Sequence, residues 1–166
     1  ITTNNKQVVT YLREIRNHGL MSRDEQNIVG RVSRLNSLNA ITLDYRLTKL
    51  DSIIESKRNN AKIYNRLLKK SIEISLINVP NNIYHSYHTY IIKVEKRDAL
   101  QSFLLKNGVE TKIHYPIPIH KQKPFQDRRW KLSNTELLAK KILTLPLANL
   151  TPKDIKYICD IILKFY

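Results

Sequence analysis

Gly108-Val-Glu-Thr-Lys-Ile-His-Tyr-Pro-Ile-Pro-Ile-His120 is the stretch from which the rest of the chain can be read outward. A glycine after a helix-like run can take the left-handed conformation that ends a helix. The residues after it alternate. Val109, Thr111, Ile113 and Tyr115 fall on one side of an expected strand, and Glu110, Lys112 and His114 on the other. Pro116 and Pro118 stop any ladder, because proline has no N–H to donate. The expectation is a short strand turning into a rigid, extended loop that carries His114, Tyr115 and His120. Such loops hold polar groups at the rim of a scaffold, where binding sites sit. The plainer alternative is a strand end with a proline turn and two surface histidines.

Upstream, Arg97 to Asn107 reads as a helix with Leu100, Phe103 and Leu104 buried. His88 to Glu95 reads as a central strand, because both of its faces are partly apolar. Ile74 to Val79 is expected to be a second strand, ended by the turn Pro80-Asn81-Asn82. His85 and His88 have a spacing that can bind metal, but no carboxylate or cysteine nearby completes a ligand set. Downstream, Lys121 to Lys131 is polar and irregular, with Pro124, Phe125 and Trp130 as expected anchors. Ser133-Asn134-Thr135-Glu136 has the pattern of a capping box and predicts a helix to about Ile142. Leu143 to Leu147 is extended. Thr151-Pro152-Lys153-Asp154 combines a cap residue, a proline at the first helical position and an acid in the first turn. The final helix is expected to bury Ile155, Ile158, Ile162 and Phe165, with Cys159 as a small buried hydrophobe.

The first third of the chain is different. Residues 6 to 16 predict a helix closed by Gly19, and His18 is either a site residue or a cap partner. Residues 20 to 32 lack a period and read as a loop, and long loops in compact domains are often functional. From Ser33 to about Ser71, Leu43, Leu47, Leu50, Ile54, Ala61, Tyr64 and Leu68 form a helical stripe. A bend or break is expected near Asp51-Ser52. The order predicts an α+β fold, with helices on a small, mostly antiparallel sheet, preceded by a long helix.

The 166 residues are 42% hydrophobic, so the chain is no disordered tail. One cysteine excludes an internal disulfide framework and fits a reducing compartment, which predicts the cytoplasm. No apolar run approaches the roughly 20 residues of a membrane-spanning helix, and no signal peptide is visible. The chain opens at Ile1, inside what looks like a strand and turn, which suggests a piece of something longer. The net charge of +15 attracts polyanions, or reflects a general bias toward lysine, because the basic residues are spread along the chain.

Taken together, Arg16-Asn17-His18-Gly19, Gly30 to Ala40, Ser86-Tyr87-His88-Thr89-Tyr90, Arg97-Asp98, Gly108 to His120 and Leu143 to Leu147 resemble the C-terminal part of a known family. It is the fold-type I, pyridoxal-phosphate-dependent sugar aminotransferases of the DegT/DnrJ group. The resemblance implies an enzyme that transfers an amino group, usually from glutamate, to a keto group on a nucleotide-linked deoxysugar, for polysaccharide or glycan biosynthesis. It implies a homodimer formed through a large domain and the connecting helix. It divides the chain into the tail of the large domain with a loop (1–32), the connecting helix (33–71) and the small C-terminal domain (72–166).

The family's Gly-x-Asn-x-Arg loop, which meets the partner subunit's cofactor phosphate and substrate, matches Gly30, Val32 and Arg34. Val32 stands where asparagine is usual and cannot donate a side-chain hydrogen bond. Ser33 or a backbone N–H is the expected substitute, so the resemblance assigns Gly30, Ser33 and Arg34 to the cofactor. It assigns His18, Arg34, His114 and Tyr115 to the nucleotide-sugar substrate. The lysine that forms a Schiff base with the cofactor has no match here. Lys6 lies after the family's lysine strand and is rejected. No catalytic residue, no metal and no pyridoxal phosphate are therefore expected on this chain alone. Two other readings stay open: a binding or regulatory module derived from that family, and a basic nucleic-acid binder. No recognition-helix, zinc or aromatic-platform motif supports the second.

Overall fold

A computed structural model describes residues 1–125 and 130–166. They divide into two compact units, residues 1–49 and 50–166.

The larger unit is built on a three-stranded antiparallel sheet. β1 (Ile74–Leu76) and β3 (Ile142–Leu145) flank β2 (Tyr90–Val94), with Ile74 opposite Val94 and Ile92 opposite Leu143. β2 is the central strand expected from its composition: Tyr90, Ile92 and Val94 are buried, and Ile91 and Lys93 are half-buried. α3 (Leu50–Leu68) brings Ala61, Tyr64 and Leu68 into the core, at steps of three and four. α6 (Pro152–Phe165) adds Ile155, Ile158, Cys159 and Ile162, and α4 (Arg97–Lys106) adds Leu100 and Leu104. Each buried leucine or isoleucine among them contributes roughly 1.5–3 kcal/mol by leaving water. Phe103 and Phe165 lie at the core margin, half-buried, with ring centroids 5.4 Å apart.

The expected long helix is two helices. In the smaller unit, α2 (Ser37–Leu47) starts after Asn36, whose side chain accepts from Leu38 N–H at 2.8 Å. Residues 33–35 precede the cap, and Ser33 N–H donates to Arg16 C=O at 2.9 Å in the extended bridge beside Asn17. The interruption falls at Thr48-Lys49, just before the expected Asp51-Ser52. There the last turn tightens, with Lys49 N–H donating to Arg46 C=O three residues back at 3.1 Å, and the Thr48 hydroxyl donates to Tyr45 C=O at 2.7 Å. α2 buries none of its residues, and Leu38, Ile41 and Leu47 are exposed.

Other boundaries shift as well. Residues 109–115 make no strand: the ladder is one bridge, Lys112 to Thr144, beside β3. Pro116 ends the extended run on one side and Gly108 on the other. Val109 is buried and Ile113 packs on the core as expected, but Tyr115 is 74% exposed. The anticipated box at Ser133 does not form. Leu132 caps α5 (Ser133–Lys141) without a side-chain bond, and Glu136 turns to His120 instead. The box at Thr151 does form, with Thr151 Oγ1 accepting from Asp154 N–H and Asp154 accepting from Thr151 N–H at 2.7 Å. Of the irregular stretch 121–131, residues 126–129 lie outside the described residues. Phe125 is half-buried and Trp130 is 49% exposed. Among the described residues, no helix is long and apolar enough to cross a membrane.

Candidate functional site

The smaller unit holds a site made largely of backbone. α1 (Lys6–Ile15) is capped by Asn5 and ends in Arg16-Asn17-His18-Gly19. His18 and Gly19 both take positive φ, 61° and 80°. The turn they make lets the loop of residues 20–34 fold back onto the end of α1. Asn27 N–H donates to Gly19 C=O at 2.9 Å, and the Gln26 amide donates to His18 C=O at 3.0 Å and Ile28 C=O at 3.1 Å. Arg31 N–H then donates to Ile15 C=O at 2.8 Å, His18 N–H to Arg31 C=O at 3.2 Å, and Ser33 N–H to Arg16 C=O at 2.9 Å. These bonds make an antiparallel bridge between Asn17 and Val32. In such a bridge the peptide groups of Val32 point away from α1.

Two glycines permit this docking. A Cβ on Gly30 would lie 2.0 Å from Gly19 N and 2.5 Å from His18 C. A Cβ on Gly19 would lie 1.7 Å from Ile28 O. The result places Arg34 beside Asn17, whose side-chain oxygen accepts from Arg34 Nη2. The guanidinium remains exposed with donors to spare. His18, Gly30, Ser33 and Arg34 are thus gathered in one place, as backbone around Gly30 and as exposed side chains at the other three positions.

This donor set fits a phosphate. A guanidinium held on one side by an amide, a free-standing serine hydroxyl and an outward peptide N–H at Val32 suit phosphate or sugar oxygens. The side chain of Val32 adds nothing to it.

His114 and Tyr115 belong to the larger unit. Thr144, buried in β3, has its hydroxyl 3.0 Å from His114 Nδ1. Tyr115 stands edge-on to His114, with ring centroids 5.4 Å apart. With Glu110, Thr111 and Lys112, His114 lines an open cleft of about 280 Å³. His120, at the far end of the proline loop, is buried and bonds Glu136 Oε1 at 3.0 Å. Lys121 Nζ lies 3.3 Å from the same oxygen. The alternative of two surface histidines is wrong for His120, which ties the loop to α5.

The hydrogen bond from His120, assisted by Lys121, holds the Glu136 carboxyl below the ordinary carboxylate range. A depressed carboxylate stabilises the fold above its unfolded pKa, and this contribution is lost as acid protonates it. Asp154, depressed by Thr151, behaves in the same way. Thermal melts at about pH 7 and about pH 3 are therefore expected to show a smaller acid-induced loss in Glu136→Gln than in the wild type. An equal loss in both would remove Glu136 from acid stability.

Tyr64, Tyr90 and Cys159 are packing residues of the larger unit. Tyr64 and Tyr90 stack at 4.7 Å and bond Pro146 C=O at 2.8 Å and Asn65 Oδ1 at 2.7 Å, and burial pushes both phenols up. Burial pushes the Cys159 thiol up to about 12, as befits a packing residue. His85 Nδ1 accepts from Tyr87 N–H at 2.9 Å.

Asn17 and Thr144 did not stand out as site residues in the sequence, and Glu136 stood out only as a cap partner. Asn17 sat inside the Arg-Asn-His-Gly motif, and its neighbourhood was the available signal. Thr144 and Glu136 meet their histidines only through tertiary structure.

The profile of the DegT/DnrJ/EryC1/StrS aminotransferase family matches residues 1–163. A pleiotropic regulatory protein of Geobacillus stearothermophilus is 34% identical, over 100% of this chain and 46% of its own length. A dTDP-3-amino-3,6-dideoxy-alpha-D-galactopyranose transaminase of Aneurinibacillus thermoaerophilus is 31% identical, over 93% of this chain and 42% of its own. The crystal structure of S. venezuelae DesV in complex with a ketimine intermediate superposes with a TM-score of 0.92 at 26% identity, covering 99% of this chain and 45% of that one. The chain thus spans less than half the length of these relatives. The small antiparallel sheet with packed helices is the expected part of a fold-type I aminotransferase. Because the match runs through both units, the chain belongs to the DegT/DnrJ/EryC1/StrS aminotransferase family.

Proposed function

We propose that the chain works as the C-terminal part of a pyridoxal-phosphate-dependent aminotransferase. The enzyme moves an amino group, with glutamate as donor, to a keto carbon of a nucleotide-linked deoxysugar. The product serves polysaccharide or glycan synthesis in the cytoplasm. The observation that carries this reading, beside the family, is the exposed Arg34 guanidinium braced by Asn17 on a backbone-docked loop.

When bound, pyridoxal phosphate supplies an electron sink for moving the amino group. The chain's own residues bind and orient. Arg34, the Ser33 hydroxyl and the Val32 N–H hold phosphate oxygens, and Gly30 keeps the loop close enough to α1 to aim them. His18 and Arg34 face the substrate from this unit. His114 and Tyr115 meet the nucleotide sugar from theirs. The Schiff-base lysine belongs to a large domain outside these residues. Residues 1–32 complete that domain, 33–71 connect, and 72–166 form the small domain. The exposed Leu38, Ile41 and Leu47 of α2 suit a helix that rests on the large domain and a second subunit.

One relative favours a second reading. The Geobacillus protein carries a regulatory name, which fits a family member that binds without transferring.

Arg34→Ala in the full-length protein is expected to lower kcat/KM about a hundredfold, the scale of a lost charge-assisted contact. The fold should be unchanged, since the side chain is exposed. Steady-state kinetics with the keto-sugar nucleotide check this, and wild-type values in the variant would remove Arg34 from the site.

A further inference from the structure

We propose that Thr144 is a positioning residue: its hydroxyl donates to His114 Nδ1, fixes the imidazole as the Nε2–H tautomer, and so makes His114 a hydrogen-bond donor to an oxygen of the substrate. The inference deepens the reading above, since it rests on His114 meeting the nucleotide sugar.

The argument starts from the hydroxyl. Thr144 is 8% exposed, and its Oγ1 has one partner among the described residues, His114 Nδ1 at 3.0 Å. If Nδ1 carried the proton and donated it, the threonine O–H, at the wall of the cleft, would have no protein acceptor among the described residues. Buried donors are rarely left so. The acceptor side of a hydroxyl is more forgiving, because an unused lone pair costs less than an unused proton. Thr144 therefore donates and Nδ1 accepts. A neutral imidazole with an unprotonated Nδ1 carries its proton on Nε2.

The backbone fixes the direction. Thr144 N–H donates to Lys112 C=O at 2.7 Å, and Lys112 N–H donates to Thr144 C=O at 3.2 Å. This bridge holds the two segments side by side and keeps the hydroxyl within reach of the ring. His114 Nε2 has no partner among the described residues. It is the group left for a ligand in the cleft that His114 shares with Lys112. A donor N–H and an ammonium on one cleft suit phosphate, sugar or carboxylate oxygens. The other histidine of the loop is spent on Glu136 and has no such role.

The test uses the full-length protein labelled with 15N-histidine, observed at about pH 8.5, above the ordinary histidine range. The His114 signals are those that vanish in His114→Gln. The expected wild-type pattern is a pyridine-type Nδ1 and a pyrrole-type Nε2. Thr144→Ser should keep it. Thr144→Val, which fills the same space without the hydroxyl, should move the population toward the Nδ1–H tautomer. It should also raise KM for the nucleotide sugar about fivefold to tenfold, the scale of one hydrogen bond, with kcat held. A protonated Nδ1 in the wild type would overturn the proposal, as would a Thr144→Val protein with the wild-type pattern. A KM raised as much by serine as by valine would also overturn it. The spectra need no substrate, so their failure is distinct from a failure of the aminotransferase reading, which the Arg34→Ala kinetics judge.

Discussion

Gly30→Ala is expected to undock the loop of residues 20–34 from α1. The methyl would have to sit 2.0 Å from Gly19 N and 2.7 Å from Gly19 Cα, and every atom it meets is backbone. No rotamer change relieves such a contact, so the two strands must part. Forcing extra atoms into a tight contact costs about 1–3 kcal/mol when side chains can give way, and more when they cannot. The three bonds that join Ile15, Arg16 and His18 to Arg31 and Ser33 contribute roughly 1 kcal/mol each, and they do not survive the separation. Hydrogen exchange is the direct measurement. The amides of His18, Arg31 and Ser33 should lose protection, while core amides of the larger unit, such as Ile92, keep theirs. Activity should fall as in Arg34→Ala, because the guanidinium loses its place beside Asn17. Wild-type protection at Arg31 and Ser33 in the variant would contradict the docking.

Tyr64→Ala is expected to cost the larger unit about 3–5 kcal/mol, as other buried aromatic truncations do. Tyr64 is fully buried, stacks on Tyr90 at 4.7 Å, and donates to Pro146 C=O at 2.8 Å. It therefore joins α3 to the end of β3, two residues beyond Thr144. Tyr64→Phe separates the two contributions. It keeps the ring and loses the bond, for about 1–3 kcal/mol. Against a total stability of about 5–15 kcal/mol, the loss in the alanine variant is a large share of what holds the fold. Urea unfolding gives both numbers. Equal losses in the two variants would mean that the ring contributes little, contrary to the packing described here.

The architecture was legible wherever pattern is local. β2, α4, the extended run before Pro146 and the Thr151 box follow from alternation, helical spacing and cap chemistry within a few residues. The misreadings have tertiary and local causes. Glu136 had the spacing of a cap partner, yet a buried imidazole 16 residues away competes for it. Residues 109–115 alternate like a strand, yet only Lys112 pairs, with Thr144. Ser33 looked like the start of a helix, but its N–H belongs to Arg16. The break at Thr48-Lys49 is a tightened turn, Lys49 N–H to Arg46 C=O, in a run without glycine or proline, and it leaves no trace in a hydrophobic pattern. The candidate site was legible as motifs, and its geometry was not. Gly19 and Gly30 are 11 positions apart in the chain, and only the fold shows that each leaves room for the other.

His114, Tyr115 and His120 illustrate the same limit. The sequence placed all three on one rigid loop. Thr144 and Glu136 then decide which of them is available: the first turns one face of His114 outward, and the second takes His120 out of contact with solvent.

The most direct measurement of the central claim is amino transfer by the full-length protein, supplied with pyridoxal phosphate, glutamate and a set of nucleotide-linked keto sugars. Mass spectrometry should find one sugar nucleotide converted from ketone to amine, with 2-oxoglutarate formed in equal amount. Conversion should fall sharply in Arg34→Ala. A protein that holds pyridoxal phosphate yet aminates none of the sugars, and forms no 2-oxoglutarate, would contradict the account.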